Sequence, residues 1–176
     1  MIYIDKKYKK LKKNKGFSLI ELMVVVGILS FIVIGGVSFF TGGARSWISG
    51  QSQLKAQREA RMAMDIMVRE IREGKNVDAG SDDDNIFVYF PTALGGGNVT
   101  FELIGNSVKW NTVTLIDNIP EGGLVFTYFD DEENEAGAPT QASKIKIELQ
   151  VDVDRDTKPD IIIETEVNLR NYGLTG

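Results

Sequence analysis

Hydrophobic and polar positions divide the chain into three stretches with different periods. Residues 17–40 are almost continuously apolar, and Glu21 is their only charge. About 20 apolar residues cross a bilayer as a helix, so this run reads as a secretory signal or a retained anchor. A secretory signal is followed by a cleavage site of small residues. No A-x-A pattern ends this run, and its length favours the anchor. Gly35-Gly36 and Gly42-Gly43 interrupt its later half. Glycine disfavours helix by about 1 kcal/mol per residue, which predicts a kink or a loosened turn there.

A helical period resumes over 44–73. Ala60, Met64, Met67 and Ile71 recur on one helical face. Met62, Met64 and Met67 read as core filler. Asp65 and Arg69 stand at i, i+4 in the favourable order. Arg69 and Arg72 suit a helix C-terminus, and Gly74 ends it. A single helix over 17–73 would be roughly 85 Å long at 1.5 Å per residue. That exceeds a bilayer, so its second half is expected to pack on something outside.

Beyond Gly74 the period becomes two. Strands are predicted at 86–90, 99–104, 107–110, 113–116, 124–129, 144–153 and 161–169. Gly105-Asn106 is a two-residue hairpin signal. In the 144–153 strand, Ile145, Ile147, Leu149, Val151 and Val153 share one face, and Lys146, Glu148, Gln150 and Asp152 the other. Its predicted partner turns Ile161, Ile163, Val167 and Leu169 inward. Loops fall at 79–85, 93–98 and 130–143. The expected fold class is α+β, a long N-terminal helix whose outer half lies on an antiparallel β-sheet domain. The expected divisions are a basic leader 1–16, a transmembrane half-helix 17–43, an amphipathic half-helix 44–74 and an exported globular domain 75–176.

Charge sharpens this division. The net charge is −5 over 176 residues. Residues 1–16 hold seven lysines against Asp5, which leaves 13 basic and 24 acidic side chains beyond them, a net −11. Lysines ahead of the apolar run place the N-terminus in the cytoplasm and the body outside. An acidic body repels phosphates, so no nucleic-acid partner is expected. With no Cys and no His, disulfides, thiol chemistry and the commonest general base are absent. No Gly-rich phosphate loop, G-x-S-x-G or identifiable carboxylate pair stands in for them, so no enzyme activity is expected. Gly95-Gly96-Gly97 follows no strand-to-helix pattern and reads as a loop.

Gly16-Phe17-Ser18-Leu19-Ile20-Glu21-Leu22 follows the lysine-rich leader and opens the apolar helix. Here the chain resembles the type IV pilin and pseudopilin family. The resemblance is close over 15–30 and rests on the basic leader, the Gly-Phe junction and the Glu five residues after the Gly. It implies cleavage by prepilin peptidase between Gly16 and Phe17, N-methylation of Phe17, and a role for Glu21 in register. An acid inside an apolar span is costly and is usually paired or functional. The resemblance implies pairing with the new amine of Phe17 on a neighbouring subunit. It also implies an inner-membrane precursor that later joins a pilus or pseudopilus with other subunits. Residues 61–74, 123–130 and 167–171 resemble minor pilins of the W type and minor pseudopilins of the J type. Ser38 stands where many pilins have a kinking proline, and no C-terminal Cys pair closes a loop. Both departures favour a minor subunit. The alternative is a non-polymerising, membrane-tethered extracytoplasmic binding domain.

No motif requires a cofactor. Asp152, Asp154, Asp156 and Asp160 raise one metal hypothesis, Ca²⁺, because carboxylates at relative positions 1, 3, 5 and 9 can wrap a hard cation. The loop has Thr157 where glycine is expected at relative position 6 and Ile163 where a bidentate Glu is expected at 12. The competing reading is an acidic hairpin turn near Pro159 with Asp152 on the solvent face. Asp82-Asp83-Asp84 and Asp130-Asp131-Glu132-Glu133 read as solvated loops. Phe39, Phe40 and Trp47 read as an interfacial aromatic belt or as filament core.

Overall fold

In the computed structural model, residues 16–173 are described. The leader expected at 1–16 therefore lies outside the described residues, apart from Gly16. The chain divides into two units, one ending at Trp47 and one beginning at Ile48.

A single helix, α1 (Leu19–Arg72), spans that division. Its assignment runs unbroken through Gly35-Gly36 and Gly42-Gly43, so the loosened turn expected there is not found. Each glycine weakens helix propensity without removing a main-chain donor or acceptor, so the hydrogen-bond ladder can run through it. Every residue from Gly16 to Trp47 is exposed in the first unit. An 18-residue window of α1 reaches a mean hydropathy of 2.6 with none of it buried, long and apolar enough to cross a membrane. Two of its hydroxyls are satisfied on the helix itself. Ser30 Oγ donates to the Val26 carbonyl at 2.8 Å, and Thr41 Oγ1 to the Val37 carbonyl at 2.9 Å. That arrangement suits hydrocarbon, where no water can take these bonds.

In the second unit α1 buries Ala60, Ala63, Met64, Met67 and Ile71, the predicted stripe with Ala63 added. Met62 lies outside this stripe and is mostly exposed, so it is not the core filler expected. Nor do Asp65 and Arg69 pair. Arg69 instead reaches Glu70 at 3.2 Å, a neighbour its long side chain meets without crossing a helical turn.

Among the described residues, eight strands complete this unit. β1 (Asn76–Val77), β2 (Asn85–Tyr89), β3 (Asn98–Ile104), β4 (Ser107–Trp110) and β5 (Val113–Asp117) form an antiparallel sheet in chain order. β6 (Leu124–Phe129), β7 (Lys144–Val151) and β8 (Ile161–Asn168) form a second one. The single sheet expected is therefore two. Pro120 has no N–H to donate, and Gly122 takes φ +70°, so the chain leaves the first ladder after β5 and starts another. Gly105 occupies the first hairpin position with φ +65°, joining Ile104 to Ser107.

Both sheets and α1 share one core. Ile86, Val88, Phe101, Leu124, Phe126, Ile145, Ile147 and Leu149 are almost wholly buried with Met67 and Ile71. Each such side chain contributes about 1.5–3 kcal/mol relative to exposure. Hydrogen bonds tie β6 to the loop that leads into β2. Phe126 N–H donates to the Asp83 carbonyl at 2.8 Å, and the Tyr128 hydroxyl to that of Asp82 at 2.8 Å. Burial pushes the Tyr128 hydroxyl well above its ordinary pKa, so it stays a donor.

The carbonyls at the end of α1 would be orphans without a partner. The chain after β8 supplies them. Arg170 N–H donates to the Arg72 carbonyl at 2.8 Å, and Asn171 Nδ2 to that of Glu73 at 2.8 Å. Asn171→Ala removes the side-chain cap and is expected to lower unfolding free energy by about 1 kcal/mol. Urea unfolding of the detergent-solubilised chain checks it, and an unchanged midpoint would assign the capping to the main chain alone.

Candidate functional site: the N-terminal motif and the aspartate loop

Gly16, Phe17 and Ser18 precede the helix without regular secondary structure. The Ser18 carbonyl already accepts the Leu22 N–H at 3.1 Å. Phe17 is 80% exposed, and a side chain at Gly16 would meet nothing within 4 Å. Among the described residues nothing covers the Gly16-Phe17 bond. Glu21 lies in the first turn of α1, where the helix dipole favours a negative charge. No other charge follows it until Arg45.

Residues 11–37 match the prokaryotic N-terminal methylation motif. No curated protein matches the chain. The motif and the exposed apolar helix behind it support a type IV pilin-like subunit processed by prepilin peptidase. They also support membrane anchoring before assembly with other pilin subunits.

The second candidate lies in the β7–β8 hairpin. β7 ends at Val151, before the predicted Val153, and the chain turns there. Asp152 therefore leaves the strand alternation that placed it on the solvent face. It is 6% exposed instead. Its Oδ1 accepts the Arg155 and Asp156 N–H groups at 2.7 and 3.3 Å, and its Oδ2 accepts that of Thr157 at 2.8 Å. Thr157 takes φ +73°, the left-handed conformation that glycine would supply at relative position 6. The missing glycine therefore does not prevent the sharp turn.

This turn brings Asp152, Asp154 and Asp156 together, with one carboxylate oxygen from each within 4.8 Å of the others. Calcium binds oxygens at 2.3–2.6 Å, so ligands on opposite sides of it stand about 5 Å apart. The spacing of the three carboxylates fits such an ion. Asp160 has a different place. Its Oδ2 accepts the Val153 N–H at 2.7 Å and the Asp154 N–H at 3.4 Å, closing the hairpin from the other end. No signal in the sequence separates it from the other three. Arg155 turns away to Asn118, donating from Nε to Oδ1 at 3.2 Å. Desolvation and the neighbouring Asp156, Asp160 and Asp152 charges hold the Asp154 carboxyl above its ordinary pKa.

Two structural anchors had no sequence signal. One is Asn171 on the helix end. The other is Lys144, whose Nζ meets Glu133 at 3.1 Å and Glu166 at 3.5 Å and lies 5.3 Å from the Phe129 ring centroid. Both depend on segments distant in the chain.

Proposed function

We propose that the chain is a minor pilin-like structural subunit of a type IV pilus or type II secretion pseudopilus. One observation carries the reading: the methylation motif at 11–37 spans the start of an apolar helix that is exposed throughout residues 19–47. Such a helix needs lipid first and other helices later. Prepilin peptidase cuts between Gly16 and Phe17 at the cytoplasmic face and methylates the new Phe17 amine. Glu21 then pairs with that amine on a neighbouring subunit and sets the register of the bundle. The body lies outside the inner membrane. Resemblance to W-type pilins and J-type pseudopilins supports a minor role. This work is assembly, not catalysis.

Intact mass of the protein from membranes of a host carrying the peptidase tests this. The expected product begins at Phe17 and bears one added methyl group, and Gly16→Ala stays full length. A full-length, unmethylated product from both chains would remove the pilin reading and leave the tethered binding domain.

The aspartate cluster supports a second, compatible element, a Ca²⁺ that pins the β7–β8 hairpin. Asp152, Asp154 and Asp156 would hold it, and its two positive charges would offset most of the charge on three crowded carboxylates in a chain without disulfides. Added Ca²⁺ at ten times its Kd is expected to raise Tm by about 3–6 °C. Mg²⁺, which sheds water reluctantly, is expected to do less. The sign with pH follows from Asp154. Its folded pKa is raised above the ordinary 3.8, so protonation favours the ion-free fold as pH falls through that raised value. Protons and Ca²⁺ compete, and the Ca²⁺-induced rise in Tm shrinks over the same window. A rise that is independent of pH, or absent, would remove the metal.

A further inference from the structure

α1 runs unbroken from Glu21 to Arg45, and no charged residue lies between them. Their separation along the axis is about 36 Å at 1.5 Å per residue. The hydrocarbon core of a bilayer is about 30 Å thick, and its headgroup layers bring the total to about 40–45 Å. The two charges therefore clear the hydrocarbon only when each lies in one headgroup layer. A slide of about one helical turn either way draws Glu21 or Arg45 into the core, where an ionised side chain is costly. Side chains near Arg45 mark the same level. Thr41, one turn before it, donates its hydroxyl hydrogen to the Val37 carbonyl at 2.9 Å, as hydrocarbon requires. Trp47, just after it, stands exposed, and tryptophan favours the headgroup level. Among the described residues Arg45 has no ion-pair partner. The next acid along α1 is Glu59, which holds Lys55 at 3.7 Å.

We propose that Arg45 binds a phospholipid phosphate at one face of the bilayer, and thereby keeps Glu21 in the headgroup layer of the other face until the helix leaves the lipid. Lipid is the fitting occupant because Arg45 directly ends the exposed apolar run. A guanidinium offers parallel N–H donors that match phosphate oxygens, and the Trp47 ring lies among the headgroups beside it. The lipid-embedded span is then 22–44, which is uncharged throughout. At a length of about 35 Å it covers the hydrocarbon with a modest tilt. Glu21 meets water and headgroup amines in the membrane-bound chain, so it needs no protein partner there. Its pairing with the Phe17 amine of a neighbour becomes necessary only on assembly, when Arg45 also gives up its phosphate. The proposal rests on the anchor reading, and not on which face is cytoplasmic.

The test uses the full chain in vesicles of phosphatidylcholine and phosphatidylglycerol. The chain has no Cys, so single cysteines report depth through a membrane-impermeant maleimide supplied to both faces. Ile20→Cys and Ser46→Cys are expected to label at least about tenfold faster than Ile28→Cys and Val37→Cys, which lie in hydrocarbon. Adding Arg45→Leu should slow labelling of Ser46→Cys several-fold, and Arg45→Lys should restore it. A second measure needs no change in depth: dipolar coupling between ¹³C-labelled arginine Cζ and lipid ³¹P should be present in the parent and lost in Arg45→Leu. Protection of Ile20→Cys equal to that of Ile28→Cys would put Glu21 in hydrocarbon and overturn the proposal. Coupling absent from the parent, or unchanged in Arg45→Leu, would overturn it too, as would a Ser46→Cys rate indifferent to Arg45→Leu. Fast labelling at Ile28→Cys and Val37→Cys is a different failure, which removes the anchor itself and the proposal with it.

Discussion

Gly74→Ala is expected to destabilise the globular unit by about 3 kcal/mol, the upper part of the range for overpacking a tight core. A Cβ at Gly74 would overlap Val88 Cγ1 and stand 3.0 Å from the Ile71 carbonyl oxygen and 3.2 Å from Leu169 Cδ2. Val88 cannot move aside cheaply. It is wholly buried in β2, and its branched side chain has few rotamers to choose from. The position does not need glycine for a left-handed φ, since Gly74 is not among the residues with positive φ. It needs glycine because α1 ends where β2 and the end of β8 meet. Urea unfolding followed by far-UV circular dichroism measures the loss. The double variant Gly74→Ala, Val88→Ala should recover part of it, because removing Cγ1 opens the space. A single variant as stable as the parent would mean that the three elements do not close around this residue.

The second large effect concerns Asp152. Its carboxylate collects three main-chain N–H groups in the β7–β8 turn. Hydrogen bonds to a charged group contribute about 1.5–3 kcal/mol, and the orphaned donors add their own cost. Asp152→Ala is therefore expected to lose about 3 kcal/mol. Asp152→Asn keeps one acceptor oxygen and should lose roughly half of that. Both variants should abolish the Ca²⁺-induced rise in Tm, the alanine variant from a lower starting point. Thermal unfolding with and without Ca²⁺ separates the two roles. If Asp152→Ala unfolds at the parent temperature, the carboxylate does not organise the turn. If it keeps the full Ca²⁺ response, the ion binds elsewhere.

Local periodicity carried most of the element boundaries. β4 and β6 match the strands predicted at 107–110 and 124–129. The alternation in β7 correctly turns Ile145, Ile147, Leu149 and Val151 inward. These features are legible because each depends on a period of two against a single buried face. β1 escaped, since two residues have no period. The division into two sheets escaped for a related reason: alternation says which side of a strand is buried, but not which strand lies beside it.

The candidate sites divide in the same way. Gly16, Phe17 and Glu21 lie within six residues of one exposed chain segment, so their order in sequence is what makes them legible. The motif match at 11–37 covers the same stretch. Asp152 shows the opposite case. Its spacing suggested a metal loop, but strand alternation suggested the solvent face. Only the early end of β7 resolved the conflict, because the turn draws the carboxylate onto the amides of Arg155, Asp156 and Thr157. By itself the sequence determined the apolar span, the charge division, the processing motif and the helix-then-strand order, all set by neighbours along the chain. Tertiary structure alone decided why Gly74 must lack a side chain, how Asn171 caps α1, and which three of four aspartates converge. Each of these depends on groups brought together from far apart, and hydrophobic burial selects such meetings by the fit of whole faces rather than by residue spacing.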